Sequence, residues 1–305
     1  MEILKYIPNR ADAMEVVTYE ASELSEAHFV ENHVNLNKPC LIKGAVSHWP
    51  VMQKWHDIDY LADVTGNPQV RFYEHSNYLD HKNMARREQQ GRFKDALQKI
   101  VDNEDGIVSM PSIFCNASGP FSPLKNDLGN FSFLSNIPAP LYYPEQRFFM
   151  YSGAGTAWHF HQIDETLMCQ IKGTKQVGLL APSCIAFKQL YKDLMQYKYL
   201  DGPTCFDNYK DEIKPWEVTV EEGDSLYIPP FWWHGVEPVN KNFGITLAQC
   251  WASPIYKLAD FNKPMVRKIW KDALLDKGLA RLIMKHGMPA ILSSIKNRKL
   301  VANME

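Results

Sequence analysis

The six cysteines, at positions 40, 115, 169, 184, 205 and 250, form no C-x-x-C pair. That scatter argues against a zinc ribbon or a disulfide framework, and reduced, mostly buried thiols are expected. The chain lacks a run of about eighteen apolar residues, the length needed to cross a bilayer. Its start, Met1-Glu-Ile-Leu-Lys-Tyr-Ile-Pro8, is too polar and interrupted for a signal peptide. Together these absences make a cytoplasmic protein without a membrane span the expectation. Neither sign of charge predominates, since 33 Lys and Arg against 35 Asp and Glu leave −2. Nothing global therefore attracts nucleic acid, which is not an expected partner. Internal repeats and low-complexity tracts are also missing.

What is present is apolar and aromatic: 45% of the 305 residues are hydrophobic and 12% aromatic, with eight Trp. This is ample for one large domain or a domain with an appendage. The charge is unevenly spread, with eleven Lys or Arg against three Asp between residues 257 and 300. That basic segment reads as a solvated helix face, or as a contact for an acidic partner.

Two segments carry most of the chemistry. The first runs Gly153-Ala-Gly-Thr-Ala-Trp-His159-Phe-His161-Gln-Ile-Asp-Glu165, and the second Gly223-Asp-Ser-Leu-Tyr-Ile-Pro229-Pro-Phe-Trp-Trp-His234. In an extended chain alternate side chains leave on one face, so His159 and His161 can grip one ion. His234 has to reach it from a neighbouring strand, and Glu165 is near enough in sequence to serve as a fourth ligand. An imidazole and carboxylate set with open positions suits a catalytic divalent metal such as Fe(II) better than a closed structural zinc site.

Residues 1 to about 105 mix short helices and strands. Helices are expected over Ser22–Val34, with Leu24, His28 and Val30 turned inward, over Ile58–Val64, stopped by Gly66, and over Phe93–Val101, buried through Phe93, Leu97 and Val101. Strands are expected at Cys40–Ala45 and Arg71–Glu74. From Gly106 to Trp251 the pattern becomes short strands: Ile107–Met110, Arg147–Tyr151, Thr166–Ile171, Gln176–Leu180, Trp216–Val220, Ser225–Ile228 and Phe243–Cys250. Such spacing suits a barrel or jelly roll. Two longer connections interrupt it, one from Asn116 to Pro144 with five Pro and one from Pro182 to Tyr209 with a helical stretch. Beyond Trp251 the apolar stripe Met265, Val266, Ile269, Trp270, Ala273 and Leu274 reads as helix. The expected organisation is a β domain with an α/β lead-in over residues 1–252 and a helical segment over 253–305.

The two histidine segments resemble the two metal motifs of the cupin superfamily. The wider chain is similar to its JmjC branch, and within it to the asparaginyl hydroxylase group. The matching stretches are Lys38–Pro50, Lys54–Leu61, Gln170–Lys175, Gly223–His234 and Gly244–Trp251. The resemblance implies a mainly β fold, a double-stranded β-helix core with C-terminal helices. It implies an oxygenase using Fe(II), 2-oxoglutarate and O₂ to hydroxylate a protein side chain or a small molecule. Metal ligands would be His159, His161 and His234 with Glu165, and no other catalytic residue is implied. Thr156, Lys175 and Gln249 would line the 2-oxoglutarate site, and the C-terminal helices would make a homodimer.

Three departures stand out. Phe231 occupies a Gly position of the second motif, the spacing from Glu165 to Gly173 is one residue long, and His161 stands where the family carries Asp. The last removes one negative charge from the metal, which Glu165 or Asp164 could restore. It leaves open a three-His cupin metalloenzyme that needs no oxo-acid, or a non-catalytic scaffold of the same fold.

Overall fold

The computed structural model describes residues 3–5, 7–79, 87–104, 106–116, 118–161, 164–182, 211 and 213–254, with scattered positions from 257 to 292. The strands of the lead-in are β1 (Met14–Glu15), β2 (Thr18–Glu20), β3 (Cys40–Lys43), β4 (Gln69–Glu74) and β5 (Glu88–Arg92). They are followed by β6 (Val108–Phe114), β7 (Gln146–Ser152), β8 (Thr156–His159), β9 (Asp164–Lys172) and β10 (Lys175–Leu180). The last four are β11 (Trp216–Val220), β12 (Ser225–Ile228), β13 (Trp233–Pro238) and β14 (Phe243–Ala252).

They form two sheets. The smaller has the order β1-β11-β10-β13-β8 and the larger β2-β3-β12-β9-β14-β7-β6-β4-β5. From β7 to β14 the chain changes sheet at every step except β10 to β11, which is the winding of a double-stranded β-helix. The sequence anticipated this mainly β core and its α/β lead-in.

Strand β9 shows how the two sheets divide the core. All its residues but Lys172 are buried, because both faces of the larger sheet are covered. One face, through Leu167, Cys169 and Ile171, shares a core with Phe148 of β7 and with Phe29, Trp55, Phe93 and Leu97 of the lead-in. The other turns Met168 toward Val177, Leu179, Leu226, Ile228 and Val236 between the sheets. Each such large apolar side chain contributes about 1.5–3 kcal/mol when fully buried, so the lead-in helices hold the larger sheet's back while its front stays available for a cavity.

The lead-in corrects two details. The first helix starts at Ser25, whose side chain accepts from the His28 N–H, and covers only Glu26–Phe29 before widening into a π turn over Val30–Val34. The later start and wider turn bury Phe29, His33 and Val34 and leave His28 exposed. The helix Phe93–Val101 buries Phe93, Ala96, Leu97 and Ile100, the i, i+3, i+4, i+7 stripe, and leaves Val101 42% exposed. Ile58–Thr65 is held at both ends: Asp57 accepts from the N–H groups of Asp59 and Tyr60, and Gly66 closes it at φ 70°.

In the Pro-rich connection, a 3₁₀ turn at Ser122–Asp127 carries a buried Asp127 carboxylate that accepts from Lys54, the Trp55 indole and the Tyr60 hydroxyl. The helical stretch expected between residues 182 and 209, and most of the C-terminal helices with their dimer stripe, lie outside the described residues. None of the described helices is long and apolar enough to cross a membrane.

A candidate metal centre between the sheets

Strands β8 and β13 were missing from the expected strands, yet they carry the histidines. They pair antiparallel with His234 directly opposite His159. His161 lies just past the end of β8, where its carbonyl accepts from the Phe231 N–H at 2.8 Å. That bond asks Phe231 to adopt φ 73°, a left-handed conformation costing about 1 kcal/mol or more outside Gly. The Phe231 ring is 1% exposed, and its burial outweighs that cost. This turn explains why the family pattern has Gly there.

One ring nitrogen from each of His159, His161 and His234 lies within 4.8 Å of the others. The ring centroids are 4.0 Å apart for His159 and His234, 4.9 Å for His161 and His234, and 5.3 Å for His159 and His161. In each ring Nδ1 is already engaged. His159 Nδ1 donates to the Ala157 carbonyl at 2.9 Å, His234 Nδ1 to the Trp232 carbonyl at 3.0 Å, and His161 Nδ1 meets Thr166 Oγ1 at 2.8 Å. A carbonyl only accepts, so in His159 and His234 the proton sits on Nδ1 and the Nε2 lone pair is free to bind a metal. Burial, then the neighbouring His234, pushes His159 and His161 well below the usual imidazole range, and burial lowers His234 to about 4. All three are therefore neutral ligands at physiological pH. Three convergent neutral nitrogens fit a divalent ion with positions left open.

The histidines open on a small cavity between the sheets, part of it facing solvent. Lys175 of β10 and Thr156 of β8 line it with them. The Lys175 ammonium lies 4.0 Å from the centroid of the Tyr151 ring, and burial alone lowers its pKa to about 7. Below it, the Gln170 amide donates to the Tyr151 hydroxyl at 2.8 Å and accepts from Thr246 Oγ1 at 2.9 Å.

Gln249 is not part of this cavity. Strand alternation sends Thr246 and Ala248 of β14 inward, so Gln249 points the other way and accepts from the Gln146 amide at 2.9 Å. Its distance in sequence from His234 suggested the pocket; its parity on the strand decides against it.

Glu165 does not join the histidines either. It faces the lead-in core, 0% exposed, where its oxygens accept from the Tyr227 hydroxyl, the Ser253 hydroxyl at 2.6 Å and the Lys257 ammonium. Asp164 is spent as well, accepting from the backbone N–H groups of Leu141, Tyr142 and Tyr143 at 2.7–2.8 Å. Neither carboxylate restores the charge that His161 removes. Thr166, the next residue on β9, is the one that faces the site, and it meets His161.

Arg147, Tyr78, Phe149, Thr166 and Thr246 line the cavity without having been expected there. For Arg147 a signal existed: it is the lone charge in the run Arg147–Tyr151, on the same parity as Phe149 and Tyr151.

A family profile described as a cupin-like domain matches residues 25–255. Jumonji C domain-containing protein 5 of Drosophila melanogaster is 24% identical over 68% of this chain and 54% of its own length. Lysine-specific demethylase JMJ30 of Arabidopsis thaliana is 24% identical over 80% of this chain and 57% of its own. The tRNA wybutosine-synthesizing protein 5 of Mus musculus is 21% identical over 85% and 87%. The chain thus spans a little over half the length of the first two relatives and most of the third.

Proposed function

The chain belongs to the cupin-like family, with JmjC-domain proteins among its relatives, and from that membership we propose that it is an Fe(II)- and 2-oxoglutarate-dependent oxygenase. It hydroxylates a protein side chain or a small molecule and releases succinate and CO₂. The observation that carries this reading is the sharing of one cavity by three neutral imidazoles and a buried lysine with no carboxylate beside it among the described residues. A buried ammonium without a counter-charge is costly. It is worth keeping where an anionic ligand completes it, and the distal carboxylate of 2-oxoglutarate is such a ligand.

When bound, the iron and its ketoacid supply the oxidising chemistry through O₂. The protein's residues bind, orient and exclude. His159, His161 and His234 hold the ion, with the Ala157 and Trp232 carbonyls and Thr166 fixing their rings. Lys175 and Thr156 take the distal carboxylate, the first by charge and the second by its hydroxyl. Tyr151 cradles the ammonium from below. Met168, Ile228, Val236 and Ala248 form apolar wall that keeps water from the reacting atoms.

The absence of a carboxylate from the histidine group favours a second reading, a three-His cupin enzyme that uses no oxo-acid. Fe(II)-loaded protein incubated with 2-oxoglutarate and O₂ separates the two. The first reading expects succinate, lost in Lys175→Ala; no succinate and no 2-oxoglutarate binding by the wild type leaves the second.

Named relatives act on lysine or serve tRNA wybutosine synthesis, so membership leaves the substrate class open. The homodimer through residues 253–305 belongs to the same proposal. Sedimentation of the full chain tests it, with a monomer at micromolar concentration as the opposing result.

A further inference from the structure

Arg147 has no task in the reading above, yet it is built into the cavity wall. It projects from β7 opposite Ala248, whose small side chain leaves room beside it. Its guanidinium carbon lies 4.8 Å from the centroid of the Tyr143 ring and 5.7 Å from that of Phe149. The Tyr143 ring in turn lies 5.1 Å from that of His161. Arg147 Nε is buried without a hydrogen-bond partner, and no ion pair to Arg147 occurs among the described residues. The two acids at the start of β9 are both committed elsewhere, Asp164 to the loop N–H groups and Glu165 to Lys257 on the far face. Arg147 is close enough for its charge to disfavour protonation of all three histidines.

An arginine held by stacking rather than by an acid keeps its planar fork of N–H donors for a ligand. The charge balance agrees. A divalent ion held by three neutral nitrogens keeps its two charges, and Lys175 and Arg147 add two more. The two carboxylates of 2-oxoglutarate offset half of these four, and among the described residues the lining contains no acid to offset the rest. A substrate with its own anionic group would.

We infer that Arg147 is a specificity-determining residue that takes an oxyanion, a carboxylate or phosphate, on the molecule to be oxidised. The anionic end rests against Arg147 while the rest of the substrate lies toward the histidines. This inference rests on the oxygenase reading and names the substrate class for the same site.

The test uses full-length protein loaded with Co(II) and saturated with 2-oxoglutarate, titrated with benzoate and with phenyl phosphate while the visible spectrum of the metal is followed. In the wild type one of the two probes should perturb the spectrum, and the stronger names the oxyanion. In Arg147→Gln its dissociation constant should rise at least about tenfold, with a smaller rise in Arg147→Lys. Affinity for 2-oxoglutarate should stay within about threefold of wild type in Arg147→Gln, and fall at least about tenfold in Lys175→Ala. Equal probe binding by wild type and Arg147→Gln, or no response to either probe by the wild type, overturns the inference. So does a loss of 2-oxoglutarate affinity in Arg147→Gln as large as that in Lys175→Ala, which would assign Arg147 to the cosubstrate. Should the wild type bind no 2-oxoglutarate, the oxygenase reading falls by itself, and the same titration without 2-oxoglutarate decides the role of Arg147.

Discussion

Lys175 stands with its ammonium 4.0 Å from the centroid of the Tyr151 ring, a cation against an aromatic face deep between two sheets. Cation–π attraction of about 1–2 kcal/mol softens the desolvation of that charge without abolishing it. The remainder is the physical reason to expect an anion there, and it makes the cosubstrate site measurable without turnover.

Burial lowers Lys175 to about 7 from the ordinary lysine value of 10.5. Between these pH values the unfolded chain holds a proton that the folded chain has released, so stability rises with pH across that window. Below about 7 the burial penalty is fully present. Lys175→Met should therefore stabilise the ligand-free protein by about 1–4 kcal/mol at pH 6, with the gain shrinking as the pH approaches 10.5. Urea unfolding at several pH values reads this directly. The same variant should lose 2-oxoglutarate binding, and in the wild type that binding should weaken as the pH rises through about 7.

Gly244 lies where any added Cβ would run into the Tyr151 ring. Gly244→Ala should push that ring, and with it the Lys175 ammonium, out of place. A fall in 2-oxoglutarate affinity of about tenfold or more, with metal affinity unchanged, is expected from isothermal titration. Equal losses for both ligands would mean that the whole sheet had shifted.

His161→Asp would return a carboxylate to the middle position of the first motif, next to the Thr166 hydroxyl that now meets His161 Nδ1. On the oxygenase reading this variant should keep iron binding and succinate formation, whereas His161→Ala should lose about tenfold or more in metal affinity. Metal titration of both proteins followed by succinate assay checks the pair. Loss of activity in the Asp variant with iron retained would favour the three-imidazole enzyme that needs no oxo-acid.

Glu165→Gln separates the structural role of this carboxylate from a ligand role. Breaking the buried ion pair between Glu165 and Lys257 should cost about 3–5 kcal/mol of stability. Metal affinity of the folded protein should not change. A large drop in metal affinity with stability intact would reverse the assignment.

Much of this architecture could be read in the sequence because short-range physics fixes it. The strands β11 and β12 were legible to the residue, since Trp216–Val220 and Ser225–Ile228 are bounded by turn residues such as Gly223 at φ 89°. The helix expected over Ile58–Val64 was legible from its Gly66 stop and runs one residue further, to Thr65. Strands β8 and β13 were not, because the Gly-rich and Pro-Pro segments that feed them look like loops until the sheet pairs them. Of the inward residues expected in the first helix, Leu24 is buried and Val30 packs on the core, but His28 is exposed, because the helix starts only after Ser25 and turns Phe29 inward instead.

The sequence by itself determined the i, i+2 spacing of His159 and His161 and a core of short strands, while the family resemblance supplied the expected double-stranded winding and the expected role of Lys175. Spacing along a strand and the order of turns are local properties that survive without knowledge of the neighbours. Only the tertiary structure decided that Glu165 binds Lys257 rather than a metal, that Gln249 faces away from the cavity, and that Arg147 faces into it. Each of these turns on which side of a strand meets which sheet. A shift of one residue reverses that outcome, and only the packed partner, not the run of residues around it, fixes the choice.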